Sequence, residues 1–341
     1  MRAPALALAA TLAILLGACN GAAQSPSPVP DLTAAPTSAP TLAPSASPAF
    51  PTSITDDEGT TVALAAEPQK IVSLTPATTE TLFALGAGPR LVGRTDSDDY
   101  PPEAASVQVV VKLGKVDVEQ VVGLSPDLVL AGGDGFTPPD VVAQLRSLHI
   151  PVVVVYAKDT AGVFSDIRLI GQASGEADPA NAMADAMASE FDAVKAVTAG
   201  AAHPRVFYEI DATSTIYTAA DQSFLAQMIQ DAGGEPVTTG STTAYDIPLE
   251  QLVAANPAII LLGDAAYGTT ADQVKGRSGW GTIAAVQTGA IYPVDDTVIT
   301  RPGPRLVEGL LDLVRAIHPE LNVPGESGAP LGSPAASPAA S

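Results

Sequence analysis

Short apolar runs alternate with helix-like stretches from residue 70 to residue 317. Residues 70–74 are a β-branched run that predicts a strand, and residues 80–85 open a helix that ends at Gly86 and Gly88. A second short strand is expected at 91–93. Residues 127–131 and 151–156 are continuously apolar, as strands buried on both faces of a parallel sheet should be. Beyond Arg205 the pattern resumes, with strands at 206–210, 259–262 and 291–294 and a helix over 224–231. A last helix runs from about 305 to 317 and is stopped by Pro319. This alternation predicts α/β construction.

Two segments repeat. VEQVVGLSPDLVL at 118–130 matches LEQLVAANPAIIL at 249–261, each a short helix, a proline-marked turn and a buried strand ending in glycine, Gly132 or Gly263. Chance similarity of two such units is the alternative; the favoured reading is two similar Rossmann-like lobes. Residues 178–197, rich in Ala, Met, Glu and Lys without internal Gly and with no Pro after Pro179, predict one long rigid helix joining the lobes. A ligand cleft between the lobes follows, since clefts at domain interfaces are favoured sites.

The ends have a different composition. Residues 1–19 combine one early charge at Arg2, an apolar stretch through Leu16 and small residues leading to Cys19. Leu16-Gly17-Ala18-Cys19 resembles a bacterial lipobox, which predicts a lipoprotein signal peptide and lipidation of Cys19; an ordinary signal peptide with an incidental cysteine is the alternative. Residues 20–53 are dominated by Pro, Ser, Ala and Thr and are expected to be a disordered tether, with 322–341 a tail of the same kind. The domains expected between them are an N-terminal lobe at 54–175, the connecting helix at 176–202 and a C-terminal lobe at 203–321.

Charge and composition narrow the function. With 37 acidic and 16 basic residues the chain carries a formal charge of -21, which repels nucleic acid and anionic lipid. Aromatic residues make up only 4%, which argues against a base-stacking or carbohydrate platform. One cysteine permits neither an internal disulfide nor a cysteine-based zinc site. A lipid-tethered, extracytoplasmic, bilobal protein is most economically a binding protein, expected to act as a monomer.

The ordered segments PQKIVSLTPATTETLFALGAG, DYPPEA, DVEQVVGLSPDLVLA, LHIPVVVV, GWGTIAAVQTGAIYPVDD and RPGPRLVEGL resemble the substrate-binding proteins of ABC importers for cobalamin and ferric siderophores. That resemblance implies two lobes on a single backbone helix, a small hinge movement, a shallow cleft for a large metal chelate, and no cofactor. It also implies that Glu119 and Glu250 dock on a permease dimer that works with its ATPase. These two residues are equivalent in the internal repeat, which suits a partner with two equivalent halves. The alternative is that they only stabilise helix starts, where Asp117 with Gln120 can form a capping box.

Loops at the carboxyl ends of strands should face the cleft. Candidate ligand contacts there are Thr95, Ser97, Lys112, Leu113, Asp134, Phe136, Asp211, Tyr217, Tyr245, Tyr267 and Arg301. In the cobalamin binders of this family a tryptophan stands six residues before the first docking glutamate; here that place is Leu113, and the second-lobe counterpart is Ala244 beside Tyr245. Arg94, Lys112, Lys115 and Arg301 suggest a positive spot for an anionic chelate, with Lys115 equally readable as solvated surface charge. Bare zinc or manganese, and haem, are alternative ligands. His149, His203 and His318 all fall outside the expected cleft loops, so no histidine metal site is expected. A hydrolase finds no Gly-x-Ser-x-Gly elbow, and an adhesive lipoprotein would share the fold without reversible capture. Trp280 is expected to pack rather than to bind.

Overall fold

The computed structural model describes residues 50–321. The expected signal peptide, the lipidated Cys19, most of the tether and the tail at 322–341 lie outside the described residues. The chain opens with a hairpin, β1 (Thr52–Thr55) and β2 (Thr61–Leu64), followed by β3 (Ile71–Ser73), α1 (Pro76–Ala84) and β4 (Leu91–Thr95). Next come β5 (Gln108–Lys112), β6 (Lys115–Val116), α2 (Val118–Gly123) and β7 (Leu128–Gly132). The first lobe is completed by α3 (Pro139–Ser147), β8 (Val152–Val155) and α4 (Thr160–Ser174), and α5 (Ala177–Thr198) is the expected joining helix. The second lobe holds β9 (Arg205–Glu209), α6 (Phe224–Asp231), β10 (Glu235–Pro236), α7 (Leu249–Ala255) and β11 (Ile259–Leu262). It closes with α8 (Ala271–Lys275), α9 (Ala284–Thr288), β12 (Ile291–Pro293), α10 (Asp296–Thr300) and α11 (Leu306–Ile317).

The two sheets share a four-stranded parallel core, β4-β3-β7-β8 in the first and β10-β9-β11-β12 in the second. In the first the order is β6-β5-β4-β3-β7-β8, parallel except for the edge strand β6; in the second it is β10-β9-β11-β12, all parallel. β3 and β7 are therefore matched by β9 and β11, as the sequence repeat requires. The match reaches single backbone angles. Ser125 and Asn256, equivalent in the repeat, both take left-handed conformations, with φ of 52° and 46°, and each is followed by proline. Gly263 is required by packing, because a Cβ there would lie 2.4 Å from the ring of Tyr208.

α5 buries Ala180, Ala184, Met187, Phe191 and Val194, a spacing of alternating four and three that lays one apolar stripe along α4. Close approach depends on small residues: a Cβ on Gly171 would meet Ala180 at 2.2 Å. Phe191 stacks edge-on against Phe164, with ring centroids 5.3 Å apart. One apolar cluster runs from Ile71 and Leu82 in the first lobe, along this helix, to Val206, Tyr208 and Leu310 in the second. The lobes thus share a core on their inner faces.

Two boundaries differ from expectation. The tether was expected to reach residue 53, yet β1 begins at Thr52 and Phe50 already packs on the core. The cause is distant in sequence. Buried Asp56 accepts from Arg146 Nη2 at 2.6 Å and from the Thr60 amide at 2.8 Å, pinning the hairpin to α3. α1 starts at Pro76 rather than residue 80, because Thr75 caps it and proline suits the first turn.

Beside the hairpin, Asp166 is 7% exposed and faces Asp57. Burial, then the Asp57 charge and its hydrogen bond, raise the Asp166 pKa to about 8. Folded protein therefore holds a proton that the unfolded chain has lost above about pH 4. Stability should fall as pH rises from about 4 to about 8 and level off above, each unit of pKa difference being about 1.4 kcal/mol. Asp166→Asn keeps a donor toward Asp57 and should flatten that decline, gaining stability at pH 8 relative to pH 5. Urea midpoints of both proteins across this range check it.

Candidate functional site

In parallel sheets the carboxyl ends of all strands lie on one edge, and the two such edges of this molecule converge. α1, which follows β3, presents Glu80 at 3% exposure. From the other lobe Arg305 grips it with Nε to Oε2 at 2.9 Å and Nη2 to Oε1 at 2.7 Å, and Arg301 donates to Oε1 as well. Arg301 also donates to Asp99, in the loop after β4, at 2.7 Å. Arg305 lies 4.3 Å over the ring of Tyr100. A second bridge joins α4 to α6, where Thr160 donates from Oγ1 to Asp231 at 3.0 Å and from its amide to Gln227. A groove of about 820 Å³ flanks the first bridge, with Glu80, Tyr100, Arg305 and Glu308 in its walls.

Arg301, expected to reach for a ligand, is therefore occupied. Burial alone would lower its pKa, but the bonds to Asp99 and Glu80 outweigh that and raise it. Burial likewise opposes charge on Asp99, yet Arg301 holds its carboxyl below the usual range. Arg94 is also committed, donating to the Thr95, Ala105 and Val107 carbonyls of its own lobe. Thr95 is a second correction: it is 4% exposed and donates to Asp98 at 2.5 Å, within a buried hydroxyl cluster that includes Thr79 and Ser73. It shapes the loop and does not face solvent. Burial pushes the Asp98 carboxyl up, against the hydrogen bonds from Thr79 and Thr95.

The other candidates line the carboxyl edges. Leu113 is 92% exposed and Tyr267 is 91% exposed. Leu113 and Gly114 form the two-residue turn between β5 and β6, with φ of 48° and 71°. Such a turn favours Asn or Gly at its first position, and a leucine there costs about 1 kcal/mol. Lys112 pairs with Lys115 across the same hairpin. Ser97 and Asp134 are exposed, as is Phe136 in the loop after β7. Tyr217 bridges Asp211 and Asp246 through its backbone, bringing Tyr245 beside it. Asp211 is held below the usual carboxylate range by the Thr213 amide and hydroxyl.

Tyr156 and Ile210 are additions to this set. Both are exposed and directly follow buried strands β8 and β9, so the rule applied to the other loops would have found them. Of the large apolar side chains left exposed among the described residues, only Val122 and Leu148 lie away from these loops.

Below the second edge, Glu209 receives both Arg277 nitrogens at 2.5 and 2.7 Å, and Arg277 stacks 4.7 Å over Trp280. Trp280 is buried as expected, edge-on to Phe207. His203 and His318 both bond the Gly233 carbonyl, and His149 precedes β8, so all three stand at amino ends of strands. Glu119 and Glu250 are exposed in the first turns of α2 and α7. Asp117 caps α2 by accepting from the Gln120 amide at 3.0 Å, whereas α7 has Pro248 at its N-cap position and no side-chain cap.

The periplasmic binding protein family matches residues 71–298, well over half of the 341 residues. The chain belongs to this family. Periplasmic binding proteins of this type are solute-binding components and not enzymes. The chain is similar to the uncharacterized ABC transporter substrate-binding lipoprotein YvrC of Bacillus subtilis, 35% identical over 276 residues, spanning 80% of this chain and 87% of that one. A cobalamin-binding protein of Halobacterium salinarum is 31% identical over 284 residues, 79% of this chain and 75% of its own length. Among solved structures, the periplasmic heme-binding protein RhuT from Roseiflexus superposes with a TM-score of 0.65 at 26% identity, covering 74% of this chain and 98% of that one. The two-lobed architecture with its cleft is thus the family's, and the protein serves an ABC transporter as its substrate-binding component.

Removing one partner of a buried ion pair leaves the others uncompensated, at a cost of roughly 3–5 kcal/mol. Glu80→Ala should lose about that much, whereas Asp99→Asn, at the solvated end of the network, should lose less than about 1 kcal/mol. Denaturant titration of the two variants checks the difference.

Proposed function

We propose that the protein captures a large organic metal complex, a corrinoid or ferric siderophore, and delivers it to an ABC importer. The observation that supports this most directly is the row of exposed apolar side chains on facing carboxyl edges: Leu113, Phe136, Tyr156, Tyr217, Tyr245 and Tyr267. Exposed aromatics in a cleft suit a ligand whose faces are broad and apolar while its rim is polar. Ser97, Lys112, Asp134 and Asp211 supply polar contacts around them. The names of the relatives, cobalamin-binding and heme-binding, point to ligands of the same build.

Glu119 and Glu250 are the contacts proposed for the two halves of a permease dimer coupled to its ATPase. Their equivalence in the repeat and their exposure support this. Cys19 carries the lipid, residues 20–49 form the tether, and the protein stands as a monomer outside the cytoplasmic membrane of a bacterium. The lobes divide near 175 and 203, on either side of α5.

Saturable quenching of tyrosine and tryptophan fluorescence by a corrinoid or a ferric hydroxamate, at submicromolar concentration, is the expected result of a titration. Silence to every chelate alongside tight binding of bare zinc or manganese would overturn the ligand class. Tyr156→Ala and Tyr267→Ala should each weaken binding about tenfold, or 1.4 kcal/mol, with no change in unfolding midpoint. Glu119→Lys with Glu250→Lys should abolish uptake and leave ligand affinity as it was. A parallel loss of affinity would place these glutamates in the pocket instead.

A further inference from the structure

The cleft contains several arginines, and each is already bound. Arg301 and Arg305 hold Glu80, with Asp99 as a further acceptor. Arg94 is spread over three backbone carbonyls, and Arg277 is locked on Glu209 and Trp280. Guanidinium forks are the groups best suited to grip a ligand's carboxylates or catecholate oxygens, and here each one already spends donors on the protein: Nη1 of Arg301, Nε and Nη2 of Arg305, all three nitrogens of Arg94 and both terminal nitrogens of Arg277.

The lysines do not replace them. Lys112 and Lys115 flank Leu113 and Gly114 in the β5–β6 hairpin, and they line a hollow of about 530 Å³ together with Asp117 and Glu119. Lys158 is exposed after β8, close in sequence to Asp159. Against these, the loops carry exposed or half-exposed carboxylates that no cation bridges among the described residues: Asp134 after β7, Asp211 and Asp246 on either side of Tyr217, and Asp295 after β12. The whole chain adds a formal charge of -21, so its long-range field repels anions as well.

We infer that the cleft selects a ligand with no net negative charge, neutral or cationic, and rejects anionic chelates of equal size. This rests on the chelate-capture reading above and narrows it: apolar faces provide the contact, and the aspartates set the charge that is accepted. It reverses the expectation of a positive spot. Of the four basic residues that suggested one, Arg94 and Arg301 are committed to the protein, and Lys112 and Lys115 share a hollow with acidic groups.

The test is a titration of the full chain with three ferric complexes of similar bulk: a cationic linear trihydroxamate, a neutral cyclic trihydroxamate and a trianionic tris-catecholate, with neutral cyanocobalamin alongside. At low salt a neutral or cationic complex should bind at least 100-fold more tightly than the tris-catecholate, and added salt should narrow the gap. Asp134→Lys with Asp246→Lys should raise affinity for the tris-catecholate at least tenfold without moving the unfolding midpoint. If the tris-catecholate binds tightest and salt weakens it, the charge assignment is overturned while chelate capture stands. If no complex binds at all, the capture reading falls, and this inference falls with it.

Discussion

A carboxylate at 3% exposure can remain charged only if opposite charge reaches it, and Glu80 draws that charge from the other lobe. The two arginines lie 221 and 225 residues away in the chain, so the bridge closes a loop that takes in most of both lobes. Once Arg301 and Arg305 are committed, the segment between β12 and α11 is fixed against the start of α1. The carboxyl edges of the two sheets then have to face one another. α5 also holds the lobes, through a shared apolar core. Cleft width is therefore governed by two kinds of contact, ion pairs across the cleft and close helix packing along α5.

Most regular elements could be read from the chain because parallel strands buried on both faces must be apolar throughout. The runs at 259–262 and 224–231 coincide with β11 and α6, and 178–197 falls one residue inside each end of α5. What escaped depends on distant partners. The β1–β2 hairpin is short and rich in threonine, and it is ordered by Asp56 reaching Arg146, 90 residues on. The start of α1 carries Thr78 and Thr79, poor helix formers taken alone, whose hydroxyls are satisfied by Ser73 and Asp98. Arg301 looked like a ligand contact because it is one of few basic residues in an expected cleft loop; that its charge was already matched could not be seen without knowing that Glu80 is buried. Tyr156 was visible in principle, since it ends a run of four valines.

The cleft surface divides its tasks between committed and uncommitted groups. Every arginine there bonds to the protein itself, while the side chains left exposed are mostly aromatic, aliphatic or acidic, with Lys112, Lys158 and Ser97 beside them. Leu113 shows the cost of this arrangement twice over. It adopts a backbone conformation that disfavours a side chain and it presents that side chain almost wholly to water. Neither cost returns anything to the fold, so a contact outside the folded chain must account for the residue.

The left-handed residues Ser125 and Asn256 end the two equivalent helices in the same way, beyond Glu119 and Glu250. Each glutamate is thereby followed, before its own sheet, by a left-handed residue and a proline at the same place in the repeat. Rotation of one lobe against the other would leave each side chain's surroundings untouched and alter only the distance separating them. Under the docking proposed above, the pair would act like the two points of a caliper, converting a small change of angle at the buried bridge into a change of span that a rigid two-point gauge could measure.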